Sequence, residues 1–124
     1  MLLNDLYIIQ TQTESENQIL VSIKLMASHA IFQGHFPDQP VLPGVCMMEM
    51  VTEIMGEYLK CPFRISSGPL IKFLRMIDPN KNPVIHFEIK YRSSPAGTDT
   101  HGKIFSGQEI FMKFQLNLIP EKNI

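Results

Sequence analysis

Two residues of this chain have the types and spacing for acid–base chemistry: His35, in a proline-rich segment, and Glu49, fourteen positions later and the first charge in an otherwise apolar run. An imidazole with an ordinary pKa of about 6.5 serves as a neutral base near pH 7 without special tuning. A carboxyl group on an apolar helix is partly desolvated, which raises its pKa and preserves the acid form as a proton donor. Such a pair can remove a proton at one atom and deliver one at another. Pro37, Pro40 and Pro43 recur every third residue between them, a spacing that suits a stiff polyproline II path. Pro43 stands where proline favours helix entry. Gly44 follows it, so its backbone N–H falls at a helix N-terminus, where amides lack intrahelical partners and the dipole is positive. Having no side chain, it lets a carbonyl oxygen come close.

Each feature also has an ordinary explanation. A lone loop histidine is often structural or simply exposed, and a glutamate on an apolar helix can reach solvent or pair with Lys72 or Arg75. Spaced prolines also occur in linkers, although the apolar segments on both sides argue against one here. Only the combination points to a site.

The elements that must hold these residues follow from hydrophobic periodicity. Leu6 to Gln12 reads as a strand, Thr13–Asn17 as a turn, and Ile19, Val21, Ile23 and Leu25 as one face of a second strand, paired as a hairpin. From Pro43 to about Leu59 the apolar residues Val45, Cys46, Met47, Met48, Met50, Val51, Ile54 and Met55 point almost all round a helix. This predicts a first half buried on every side. Leu70 to Ile77 reads as a strand, Asp78–Asn82 as a turn, and Ile85, Phe87, Ile89 and Tyr91 alternate as in a sheet wetted on one face. Residues 94–102 read as a loop, 103–106 as a strand, Gly107 as a turn, and Ile110 to Leu118 as a final alternating strand. One long helix among five or six antiparallel strands is an α+β architecture in which the sheet wraps the helix. The whole of residues 1–124 is expected to form one domain.

Composition narrows the function classes. With 44% apolar and 19% charged residues in 124, a sizeable single core is available. A formal charge of −1 and the lack of any Lys/Arg block argue against nucleic-acid binding. Cys46 and Cys61 have neither CxxC spacing nor companions, so free thiols are expected rather than a disulfide framework or zinc site. His29, His86 and His101 show no metal-ligand spacing. No metal or cofactor is called for. Asn4-Asp5 interrupts any signal-peptide core after Met1-Leu2-Leu3, and no apolar run approaches the ~18 residues of a membrane span. The expectation is a cytoplasmic protein.

Gly34-His35-Phe36-Pro37, Pro40, Pro43-Gly44-Val45 and Glu49 together resemble the signature of the β-hydroxyacyl-acyl carrier protein dehydratases, which have the hot-dog fold. Lys72-Phe73-Leu74-Arg75, leading to Pro79, is similar to that family's Lys-Phe-x-Arg strand and proline turn. The resemblance implies an antiparallel sheet wrapped around one long central helix. It also implies elimination of water from a 3-hydroxyacyl group carried on the phosphopantetheine of an acyl carrier protein, giving the trans-2-enoyl product in fatty-acid or related lipid and polyene biosynthesis.

By the same resemblance His35 and Glu49 are catalytic, the Gly44 N–H polarises the thioester carbonyl, and the active sites lie between two chains of a homodimer or higher homo-oligomer. Some of Met47, Met48, Met50 and Met55 could then line an acyl tunnel, and Lys72, Arg75, Lys90 and Arg92 could face the acidic carrier. Glutamate at 49, where the isomerising branch has aspartate, favours simple dehydration. Departures stand at Asp38, Cys46 and Glu53, where many members carry glycine, leucine and glutamine, and they bear on substrate preference. Thioester hydrolysis, enoyl-thioester hydration and non-catalytic acyl binding are the competing readings, because a fold does not dictate its chemistry.

Overall fold

The computed structural model of the chain describes residues 1–34 and 38–121. Strands β1 (Tyr7–Ser15) and β2 (Gln18–Leu25) form the expected hairpin, with Asn17 at a positive φ of 57° in its turn. A short helix α1 (Ile31–Gly34) precedes the long helix α2 (Gly44–Leu59). Strands β3 (Phe63–Phe73), β4 (Val84–Ser94), β5 (Gly97–Ser106) and β6 (Glu109–Pro120) complete one sheet, in the order β1-β2-β4-β5-β6-β3. Every neighbouring pair is antiparallel. This is the hot-dog arrangement that the resemblance implied.

The alternation read from sequence selects the inward face. Ile19, Val21, Ile23, Ile85, Phe87, Ile89, Met112, Leu116 and Leu118 are buried and form one cluster with Met47, Met50, Val51, Ile54 and Met55 of α2. Burial of this kind stabilises by roughly 25 cal/mol per Å² of apolar surface, which ties the helix to the sheet.

Three expectations need correction. The first half of α2 is not buried on every side: Val45 is 73% exposed, and Glu49 is exposed too. These residues are four apart and lie on the flank that the sheet does not cover; the fully enclosed stretch is Met50 to Met55, which the N-terminal residues Leu2, Leu3 and Leu6 help to cover.

The strand expected from Leu70 to Ile77 runs instead over Phe63–Phe73. The strand passes through Ser66-Ser67-Gly68-Pro69 because β3 is an edge strand, where proline and register shifts are tolerated, and shifts fall at Ile65/Ser67 and Ser67/Leu70. Beyond Phe73 the chain leaves the sheet, and Ile77 turns into the core with its carbonyl accepting the Leu42 N–H at 2.9 Å.

Residues 94–102 are not a loop. A turn at Pro95-Ala96 joins β4 directly to β5, with Gly97 at φ 143°. Thr98 and Thr100 occupy inward positions that sequence patterning counts as polar, and the Thr100 hydroxyl is satisfied by the Leu116 carbonyl at 2.8 Å. The turn expected at 78–82 is present, built on Asp78: its side chain accepts the Asn80 N–H and its carbonyl those of Lys81 and Asn82.

Candidate active site

Helix α2 begins as its sequence predicts. Pro43 is the N-cap, with φ −63° and ψ 144°, values of a polyproline II residue, and its carbonyl accepts the N–H groups of Cys46 and Met47. The Gly44 N–H has no acceptor among the described residues. It stands at the positive end of a sixteen-residue helix. Glycine here has a packing reason as well: a Cβ at 44 would lie 2.6 Å from Cζ of Phe73. The ring at the end of β3 thus closes over the helix start.

Glu49 lies about one and a half turns further along the helix. Its carboxyl is raised above the ordinary carboxylate range, first by desolvation and next by the negative charge of Glu53. The Thr52 side chain works in the opposite direction; its hydroxyl donates to the Glu49 carbonyl at 2.7 Å. The direction agrees with the sequence expectation. Glu49 and Glu53 both line a cleft of about 420 Å³, together with Met1, Thr52, Gly56, Lys60 and Phe63.

His35, Phe36 and Pro37 lie outside the described residues, so the pairing of His35 with Glu49 stands as an expectation from sequence. His29 and His86 have structural partners. His29 accepts the Ile31 N–H at Nδ1 and meets Asp5 at 3.0 Å through Nε2, steadying the start of α1. His86 is 2.7 Å from the Ser22 hydroxyl. Both cysteines are free. Cys46 is buried, and its thiol is raised by desolvation and then by Glu49 and Glu53, which disfavours a thiolate nucleophile. Among the described residues no cluster of His, Cys, Asp or Glu could hold a metal ion, and no helix is long and apolar enough to cross a membrane.

The four basic residues considered for carrier recognition are not brought together. Lys72 and Arg75 lie at and just beyond the end of β3, beside Phe73 and the helix entry, whereas Lys90 and Arg92 lie on β4, with β5 and β6 between. Arg92 stands opposite Asp99 in the β4–β5 register.

Sequence patterning also missed Glu53. It is only 7% exposed, and its carboxylate accepts three hydrogen bonds: from the Leu2 N–H at 2.8 Å, the Leu3 N–H at 2.8 Å and the Tyr7 hydroxyl at 3.0 Å. These donors come from a segment some fifty residues away, beyond the reach of any local pattern. The one signal was the departure at Glu53 from the glutamine that the resemblance leads one to expect.

The family described as ApeI-like, ApeI dehydratase, matches residues 11–109, most of the chain. The chain belongs to the ApeI-like dehydratase family. Among relatives, the 3-hydroxyacyl-acyl carrier protein dehydratase FabZ of Actinobacillus succinogenes is 35% identical over 72 residues, covering 56% of this chain and 48% of its own. That of Natranaerobius thermophilus is 29% identical over 98 residues, covering 73% and 68%. The chain thus spans 48% to 61% of the length of the first relatives it matches. A solved structure described as the dehydratase heterocomplex ApeI:P from Xenorhabdus doucetiae has a TM-score of 0.71 at 19% identity, covering 90% of this chain and 96% of that one. This likeness establishes the fold of the ApeI-like chain.

Proposed function

We propose that this ApeI-like chain, as one hot-dog domain, eliminates water from a 3-hydroxyacyl thioester carried by an acyl carrier protein. The observation that carries the reading is the start of α2: a Gly44 N–H with no acceptor among the described residues at the helix N-terminus, and on the same helix an exposed Glu49 whose carboxyl is raised above the ordinary range. The N–H polarises the thioester carbonyl, which acidifies the adjacent carbon. His35 takes the α-proton. As the carbon–carbon double bond forms, the β-carbon–oxygen bond breaks and Glu49 protonates the departing hydroxyl, releasing water. No metal or cofactor enters this scheme.

The reading includes a second copy of the chain, with His35 and Glu49 of each site drawn from different protomers. Val45 at 73% exposure, Met76 at 69%, Phe73 at 51% and Leu74 at 41% leave an apolar surface near the helix entry uncovered in the single chain. A two-fold pairing there would be isologous. The heterocomplex named for the Xenorhabdus structure makes a different hot-dog subunit the other outcome of the same test.

The function is tested by incubating purified protein with a 3-hydroxybutyryl group on an acyl carrier protein and measuring enoyl product and free thiol together. Enoyl product without thiol release supports dehydration. Thiol release identifies a thioesterase, and neither product leaves an acyl-binding module. Sedimentation at micromolar concentration tests the dimer, and a monomer alone refutes it.

A further inference from the structure

The proposed elimination uses one carboxylate of the cleft and leaves Glu53 without a task. Glu53 is one turn beyond Glu49, and residues four apart on a helix stand above one another with Cβ atoms about 5–6 Å apart. Its carboxylate is fixed at both oxygens: Oε1 accepts the Leu3 N–H and the Tyr7 hydroxyl, and Oε2 accepts the Leu2 N–H. A surface glutamate would swing into water and relax its repulsion with a neighbour. Glu53, only 7% exposed and anchored by three donors, has no such freedom. Burial also reduces the screening of its charge.

We propose that Glu53 is a positioning residue for the elimination: anchored by Leu2, Leu3 and Tyr7, it presents a fixed negative charge that keeps Glu49 in the acid form required to protonate the leaving hydroxyl. The proposal rests on the dehydration reading.

The surroundings of Glu49 agree. After desolvation, the Glu53 charge is the largest influence raising its carboxyl. The other groups facing Glu49 or sharing its cleft come from several elements. Cys46 and Glu57 stand on the same helix, Tyr7 on β1, and Glu121 beyond β6, which adds a smaller push in the same direction; Lys60 lies at the end of the helix. Cys46 and Tyr7 are themselves raised, so both stay neutral through the working range and do not replace the charge of Glu53. Glu57 and Glu121 are exposed, and solvent screens them. The glutamine that many relatives carry at this position would occupy much of the same space without the charge.

The test replaces Glu53 by glutamine and follows two quantities in sucrose-stabilised buffer: the titration of Glu49 by carboxyl-carbon NMR in protein without substrate, and the pH profile of kcat on carrier-linked 3-hydroxybutyrate. In Glu53→Gln the Glu49 midpoint moves to lower pH and the alkaline limb of kcat moves with it. Turnover on that limb falls in proportion to the lost fraction of protonated Glu49, and the loss diminishes toward lower pH. Tyr7→Phe retains the charge and the Leu2 and Leu3 donors while loosening the anchor, and moves the limb less than Glu53→Gln does. An unmoved Glu49 midpoint in folded Glu53→Gln overturns the proposal, as does an equal limb shift in Tyr7→Phe, which would assign the effect to stability. Should Glu53→Gln not fold, Glu53→Asp decides: withdrawing the charge by one methylene must lower the Glu49 midpoint, and an unmoved midpoint overturns the proposal. The NMR titration needs no turnover, so a coupled Glu49 in a protein with no elimination activity would refute the dehydration reading while leaving the coupling intact.

Discussion

Replacing Gly44 with alanine separates the role of its amide from its role in the fold. A Cβ at this position would stand 2.6 Å from Cζ and 2.8 Å from Cε1 of Phe73, where carbon contacts settle near 3.5–4.0 Å. The ring must therefore retreat by about 1 Å. Phe73 is 51% exposed at the end of an edge strand, so it can turn outward, at about 0.5–1.5 kcal/mol for an off-rotamer side chain. Alanine in place of glycine returns about 0.5–1 kcal/mol through helix propensity. The two effects nearly cancel, and Tm in a thermal melt should move by no more than about 4 °C. Activity should not be spared. A methyl group beside the amide and a displaced ring obstruct the approach of a thioester carbonyl, and loss of one such donor costs about 10²–10³ in kcat. The expected result is a folded variant with kcat/KM on carrier-linked 3-hydroxybutyrate lower by about 10² or more. Adding Phe73→Ala distinguishes the two causes: recovery identifies the displaced ring as the obstruction, and no recovery identifies the methyl. A Gly44→Ala enzyme with wild-type turnover would refute the role of the amide.

His35→Ala and Glu49→Gln should each lower turnover by about 10² or more in steady-state assays, and mixtures of the two inactive variants should regain part of the activity through hybrid dimers. Near wild-type elimination by a folded His35→Ala variant would remove the assignment. Charge reversal at Arg75, beside the helix entry, should weaken turnover of carrier-linked substrate in a salt-dependent manner and leave a short soluble thioester unaffected, since exposed charges are screened over about 8 Å at physiological ionic strength; the same change at Arg92, opposite Asp99 on β4, serves as the comparison. Tyr7→Phe removes a buried donor to the Glu53 carboxylate and should cost about 2 kcal/mol in urea unfolding, or roughly 7 °C in Tm. An unchanged midpoint would mean that water or another donor takes its place.

Much of this chain is legible as a string of residues because its signals are local. Alternation placed β2, β4 and β6, because a strand buried on one face repeats every two residues. Pro43-Gly44 placed the start of α2, because proline favours helix entry and cannot be placed freely elsewhere. The identity and spacing of His35, Gly44 and Glu49 suggested the chemistry, and the raised carboxyl of Glu49 follows from its place on an apolar helix. What the string could not reveal depends on distant partners. Edge position let β3 run through Ser66-Ser67-Gly68-Pro69, and a carbonyl on β6 let Thr100 serve as an inward residue. The sheet covers one flank of α2 and leaves Val45 and Glu49 open, a choice that helical periodicity alone cannot make. Glu53 became a fixed buried charge only because Leu2, Leu3 and Tyr7 fold back across the helix to hold it. Residue type sets which chemistry is available, while burial and hydrogen bonding between remote segments decide which groups keep their charge and where they point.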